Sequence, residues 1–235
     1  MLNVFTLTVS FGLLVLAPYV VAIPSATRIM PLGASIVQIT CWRAYVWQKL
    51  HDAGVTNIDF VGSNSGPSTC TLHGQTITFD KDHEGHSGSK ATEFAKSGNV
   101  SVWFQKEKPD LVLLHIGTND ATAGTSSDDL MRAYDTLLDQ MRKENPNIRL
   151  VLSKLIGINP DQYGQGAAGR IHAYNDAMSE WVTKKTETRS PVTLVDVYSG
   201  FEYQTMTKDG KHPNEAGDQF MAERYFPAIQ HALSP

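Results

Sequence analysis

No long run of charge of either sign appears anywhere in this chain of 235 residues. With 20 basic and 24 acidic residues the formal charge is −4, so nucleic-acid binding has no electrostatic footprint. Internal repeats and linker-like tracts are missing as well, which leaves no sign of a solenoid or a string of modules. The biases of collagen-like, coiled-coil or disordered chains are also absent. Hydrophobic residues make up 41% and charged residues 19%, with 18 Gly and 11 Pro, as in an ordinary globular protein with room for a buried core. Cysteine is scarce: Cys41 and Cys70 are the whole complement.

Only one apolar stretch is long enough to suggest a membrane. Residues Met1 to Ala22 carry no charge, and from Phe5 the run is mostly apolar until Pro18 and Tyr19 interrupt it. The small-residue end Val20-Val21-Ala22 reads as a secretory signal peptide cleaved near Ala22, although the usual positive n-region is missing. A membrane anchor is the alternative, but the run falls short of the about 20 residues a bilayer span needs. The expectation is a leader over residues 1–22 and a single domain over 23–235, secreted to the extracellular space, with no membrane association after cleavage. An even cysteine count agrees with export. A Cys41–Cys70 bridge would contribute about 3–4 kcal/mol in the chain-entropy model, and two free buried thiols stand as the alternative. Asn99-Val100-Ser101 is a glycosylation acceptor pattern, meaningful only in a secreted chain.

Beyond the leader, strand-like and helix-like segments alternate. Arg28 to Leu32, Ile58 to Gly62, Leu111 to Ile116, Leu150 to Ser153 and Val192 to Val195 read as strands, the third apolar throughout and so buried on both faces. Helical spacing covers Trp42 to Ala53, with Gly54 at its end, and a segment from Ser126 or Ser127 through Arg142. Two further helices are predicted from about Ala168 to Lys185 and from Asn214 to Ala232. The polar, Gly-rich stretch Ser63 to Ser89 is too long for a mere connection and reads as a functional loop. This alternation calls for a mostly parallel sheet covered on both faces, with ligands beyond the C-terminal strand ends.

Four segments fall on that edge: Gly33-Ala34-Ser35-Ile36, Gly85-His86-Ser87-Gly88, Gly117-Thr118-Asn119-Asp120, and Asp209-Gly210-Lys211-His212-Pro213-Asn214. Singly, each has a bland reading. Ser35 could be a turn residue, Asn119-Asp120 a turn after a strand, and Asp209-Gly210 a common turn pair before an Asn214 helix cap. Their order along the chain, each at a loop, favours a site. Ser87-Gly88-Ser89-Lys90 fits Ser-x-x-Lys without a Lys-Thr-Gly, and neither serine block completes Gly-x-Ser-x-Gly. His83-Glu84-Gly85-His86 lacks the spacing of a zinc helix, and no glycine pattern for nucleotides follows a strand, so neither metal nor cofactor is expected.

Together these blocks resemble the SGNH or GDSL hydrolase superfamily, which supplies a serine, a glycine, an asparagine and a histidine in this order. The strings Ile29-Met30-Pro31-Leu32-Gly33 into Cys41-Trp42-Arg43, Asp82 to Gly88, and His115 to Asp120 are similar to its acetylxylan esterase branch, the third carbohydrate-esterase family. The resemblance implies a three-layer α/β/α sandwich with a central parallel five-stranded sheet of flavodoxin-like order. It implies Ser35 as nucleophile, His212 as base and Asp209 as the residue orienting it, with Ser35, Gly88 and Asn119 forming an oxyanion hole. The implied activity is removal of acetyl groups from carbohydrate through an acyl-serine intermediate. Acetylated polysaccharide or another small acyl ester would be the substrate, and the enzyme would act as a monomer. One departure stands out: Ala34 replaces the aspartate of Gly-Asp-Ser. A carbohydrate-binding pseudoenzyme, or a general GDSL lipase or esterase acting on other acyl esters, is therefore the alternative. Ser89 also departs, standing where related esterases often carry an aromatic residue. Tyr163 and Tyr203 are candidates for stacking on a sugar ring.

Overall fold

The computed structural model describes residue 1 and residues 25–234; apart from Met1, the leader-like segment lies outside the described residues. Its chain order begins with β1 (Thr27–Gly33), α1 (Ser35–Ile39), α2 (Trp42–Asp52), β2 (Ile58–Phe60), β3 (Asn64–Ser65), β4 (Thr71–Leu72), β5 (Gln75–Thr76) and β6 (Asp82–Gly85). There follow α3 (Ala91–Ser97), α4 (Asn99–Glu107), β7 (Leu111–His115), α5 (Thr118–Ala123), α6 (Ser127–Glu144) and β8 (Arg149–Ser153). The chain continues through α7 (Pro160–Tyr163), α8 (Gln165–Lys185), β9 (Val192–Val195), α9 (Tyr203–Met206) and α10 (Glu215–Leu233).

The sheet grows around the most apolar segments. β7 is buried throughout and pairs in parallel with β1 on one side and β8 on the other, while β9 extends the β8 edge. Beyond β1 the neighbour changes along its length. Its first residues pair with β2, from Thr27↔Ile58 to Ile29↔Phe60, and its last two, Leu32 and Gly33, pair with β6. The parallel core β2-β1-β7-β8-β9 is the flavodoxin-like arrangement implied by the resemblance, and among the described residues β6 and antiparallel β3 add to it.

Successive side chains of a strand point to opposite faces, and here both faces are covered. Ile29, Leu111, Leu113 and Val151 pack with buried residues of α1, α2 and α10. Met30, Leu32, Val112, Leu114, Leu150 and Leu152 pack with those of α3, α4, α6 and α8. Side chains set the helix ends. Ser126 Oγ accepts from the Asp129 N–H at 3.1 Å to start α6, and Asn214 Oδ1 accepts from Gly217 N–H at 3.1 Å to start α10.

The stretch from Ser63 to Ser89 is more ordered than a loop: it contains β3, the β4–β5 hairpin and β6. β6 escapes a pattern reading because its buried residues include His83 and Glu84. Burying that carboxylate is tolerable because it is hydrogen-bonded. It accepts from Ser63 N–H at 2.8 Å and Ser63 Oγ at 2.6 Å, and meets His86 Nε2 at 2.6 Å.

Candidate active site

Gly33 lets β1 end hard against β7. A Cβ there would lie 2.2 Å from the His115 carbonyl oxygen and 2.6 Å from Val37 Cγ2. The chain then turns at Ala34, and Ser35 begins α1 at the sheet's C-terminal edge. Buried side chains secure the far end of that short helix. Thr40 Oγ1 and Trp42 Nε1 donate to the Ile36 carbonyl at 2.6 and 3.1 Å, and Arg43 Nε donates to that of Val37 at 2.8 Å. Arg43 is fully buried, with its remaining nitrogens on the Lys81 and Gly66 carbonyls. Burial pulls its pKa down to about 9. Next to it, Cys41 is disulfide-bonded to Cys70, which resolves the two cysteine readings in favour of the bridge.

The second half of the site is the turn between α9 and α10. Thr207 Oγ1 accepts from Gly210 N–H at 2.8 Å, and Lys208 N–H donates to the His212 carbonyl at 2.8 Å. Asp209 Oδ1 accepts from Lys211 N–H at 3.1 Å and from His212 N–H at 2.8 Å, which folds the Asp-x-x-His segment back on itself. Its other oxygen meets His212 Nδ1 at 2.7 Å. Partial burial works to raise the Asp209 pKa, but the His212 side chain and these N–H donors outweigh it and hold the carboxyl below its ordinary range. An ionised carboxylate only accepts, so Nδ1 carries the imidazole proton and Nε2 is left as an acceptor.

That acceptor faces Ser35. The Oγ lies 2.8 Å from Nε2, joining residues 177 apart in sequence. Three of the sequence-predicted residues therefore form one hydrogen-bonded line. The alanine at position 34 does not disturb it.

The glycine block reaches the same place through its backbone. His86 N–H donates to the Gly33 carbonyl at 2.9 Å, and Ser87 N–H and Oγ donate to Gln38 Oε1 at 2.8 and 2.6 Å. Gly88 follows, exposed, with φ +84°, a conformation that suits glycine. Asn119 Nδ2 donates one hydrogen to the Ser89 carbonyl at 2.9 Å, and its second hydrogen is not used by that bond. Ser35, Asn119, Thr118, Ala34 and Lys211 line a recess of about 10 Å3 beside the serine hydroxyl. Asn99 stands apart from this cluster in role; it opens α4 and is exposed.

Several contributors play roles that the sequence does not announce. Thr207 and Gln38 each act through a pair of hydrogen bonds made by the fold. Tyr163 supports the turn: its hydroxyl donates to the Asp209 carbonyl at 3.1 Å, and Lys211 Nζ lies 4.4 Å over its ring. Asp120, within the asparagine block, is buried and accepts from Ala91 N–H at 2.8 Å and Thr92 N–H at 3.2 Å, starting α3 beside the glycine loop. Burial pushes the Asp120 pKa up, against those bonds. His83 and His86 are engaged locally. His83 Nδ1 accepts from Gly85 N–H at 2.9 Å, and the His86 ring stacks on Trp103 with centroids 4.8 Å apart.

Comparison with known proteins places this chain among esterases. Residues 40–220 match the GDSL-like Lipase/Acylhydrolase family, a span that begins just after Ser35 and includes Gly88, Asn119, Asp209 and His212. A carbohydrate esterase family 3 structure from Talaromyces cellulolyticus is 37% identical, covering 88% of this chain and 98% of its own, with a TM-score of 0.77. A family 3 carbohydrate esterase from Clostridium thermocellum is 29% identical over 90% of this chain and all of its own (100%), with a TM-score of 0.72. A multidomain esterase from Ruminococcus flavefaciens is 28% identical over 95% of this chain, which spans 31% of that protein's length.

Proposed function

The chain belongs to the GDSL-like lipase/acylhydrolase family and is a carboxylic ester hydrolase, and from that premise we propose that it removes acetyl groups from carbohydrate with Ser35 as nucleophile. The observation that carries this reading is the line Ser35 Oγ to His212 Nε2 at 2.8 Å and His212 Nδ1 to Asp209 Oδ2 at 2.7 Å.

As the Ser35 oxygen bonds to the ester carbonyl carbon, His212 Nε2 takes its proton. Asp209 holds the imidazole in the receptive tautomer and offsets the charge it gains. The carbonyl oxygen becomes an oxyanion, met by the backbone N–H groups of Ser35 and Gly88 and the free amide hydrogen of Asn119. Such donors act where charge develops in the transition state. His212 then protonates the departing sugar oxygen, leaving acetyl-Ser35. Water enters, gives its proton to His212 and attacks the acyl carbon. Acetate leaves as Ser35 regains its hydrogen.

Two observations support the acetyl and sugar parts. The recess lined by Ser35 and Asn119 is small, about 10 Å3, which suits a short acyl chain. A relative 37% identical is a family 3 carbohydrate esterase. The Cys41–Cys70 bridge and the exposed Asn99 acceptor suit secretion into an oxidising compartment.

The test uses 4-nitrophenyl acetate, 4-nitrophenyl octanoate and acetylated xylan. The expected result is acetate release from xylan, preference for the acetate ester, and a loss of about 10⁴–10⁶-fold in kcat in Ser35→Ala and His212→Ala. Faster turnover of the octanoate sinks the acetyl assignment. An unchanged Ser35→Ala enzyme sinks the mechanism.

A further inference from the structure

An acetyl group on a polysaccharide brings a chain of sugar rings with it, and those rings need a surface. A groove of about 430 Å3 opens beyond the C-terminal ends of β8 and β9. Pro160, Tyr198, Phe201 and Tyr203 line it, with Phe201 buried and both tyrosines half-buried.

Its outer wall is fixed by a well-satisfied carboxylate. Asp196, just after β9, accepts from Tyr198 N–H at 3.0 Å, Ser199 N–H at 2.8 Å and Ser199 Oγ at 2.8 Å, and pairs with Lys154 Nζ at 2.9 Å. Burial opposes ionisation, yet these donors hold the Asp196 carboxyl well below its ordinary range. The Tyr198 backbone is thereby held in place.

The groove converges on the turn that carries Asp209 and His212. On one side Asn159 N–H, next to Pro160, donates to the Gly210 carbonyl at 2.7 Å. On the other, Thr207 Oγ1 donates to the Tyr203 carbonyl at 2.6 Å while accepting from Gly210 N–H at 2.8 Å. Both walls thus grip the residue that follows Asp209.

Chemistry narrows the occupant. Among the lining residues the only charged side chain is Glu202, so nothing there would neutralise a phosphate or a uronate. Aromatic faces with a polar rim suit the C–H faces and hydroxyls of neutral sugars. The groove is also open, unlike an acyl tunnel. We propose that it is a glycan subsite, holding neutral sugar residues that adjoin the acetylated one. This proposal rests on the carbohydrate reading given above.

Gly157 supplies a clean way to block it. A Cβ there would lie 3.9 Å from Tyr198 Cε2, an ordinary contact, and its backbone is outside the glycine-only region. Gly157→Leu should fill the groove, and Tyr203→Ala should remove a ring from it. Each is expected to lower kcat/KM on acetylated xylooligosaccharides by about tenfold, through KM, with 4-nitrophenyl acetate turnover unchanged. Calorimetric binding of unacetylated xylohexaose to the Ser35→Ala protein, expected to vanish when Gly157→Leu is added, tests the groove without turnover. Equal losses on both esters, or no loss on the oligosaccharides, overturn the subsite and leave the esterase reading standing. Xylohexaose binding that survives Gly157→Leu overturns it too. A wild-type enzyme that releases no acetate from xylan yet binds xylohexaose in the groove overturns the carbohydrate esterase reading instead.

Discussion

Ser35 and His212 meet at 2.8 Å from surroundings that have little in common. Around Ser35 the support is packing. Gly33 presses on the His115 backbone, Ile36 and Val37 lie in the core at 3% and 0% exposure, and Trp42 and Arg43 cap the helix from fully buried positions. Around His212 the support is a polar net near the surface: Thr207, Asn159, Tyr163 and Asp209 hold the turn through hydrogen bonds, and the Asp209 side chain is 44% exposed. Core packing is cooperative with global stability, whereas an exposed polar net contributes little to it and much to geometry. Damage to the serine half should therefore appear in the melting temperature, and damage to the histidine half in kcat.

The sharpest way to test that division is Asp209→Asn. An asparagine can present its amide hydrogens to Nδ1 and so favour the tautomer in which Nε2 already carries a proton. The base is then disabled without being removed. A fall of about 10³–10⁴-fold in kcat is expected. Because the side chain is so exposed, thermal unfolding should hardly move. A large drop in melting temperature would show that the turn bears on global stability and would erase the contrast.

The opposite result is expected on the serine side. Replacing both Cys41 and Cys70 by serine opens a loop with a sequence separation of 29 and should cost about 2–4 kcal/mol of stability. Below the new transition, kcat on 4-nitrophenyl acetate should stay near wild type. The caps from Thr40, Trp42 and Arg43 to the end of α1 do not depend on the bridge. Chemical denaturation and initial rates on the same preparation measure both quantities. Lost kcat with unchanged stability would contradict the assignment.

In both halves the chain announced some parts and hid others. The apolar run at β7 was readable because burial on both faces leaves a mark in sequence, and the short motifs at Ser35, Asn119 and His212 were readable through their order and the family resemblance. What stayed hidden was made by tertiary contact. Asp82–Gly85 has no apolar period, and its place as a strand beside β1 and β3 is compatible with burial because Ser63 and His86 satisfy Glu84. Trp42 reads as one more apolar residue of a helix stripe, yet its ring nitrogen caps the helix that starts at Ser35. Of the groove, Tyr203 was readable as a sugar-stacking candidate, but Tyr198 and the walls were not, since separate loops bring them together around Gly210.

Asp218 joins the halves and gives the finest test of how they are coupled. It lies in the first turn of α10, the helix that follows His212, and its Oδ2 accepts from Cys41 N–H at 2.9 Å on the serine side. Burial raises its pKa to about 7, only partly opposed by that N–H. In the unfolded chain the group titrates near about 3.9. Between those values the folded protein keeps a proton that the unfolded chain has released, so stability is full below the window and falls as pH rises through it. Asp218→Asn retains an oxygen for Cys41 and loses the titration. The wild-type melting temperature should therefore fall further than the variant's between pH 5 and pH 8, at about 2–4 °C for each kcal/mol in a domain of this size. Most other titrating groups are shared by the two proteins, so the difference isolates this carboxyl. Parallel curves would mean that Asp218 is ionised in the fold at neutral pH, and the link between the halves would then be a charged one.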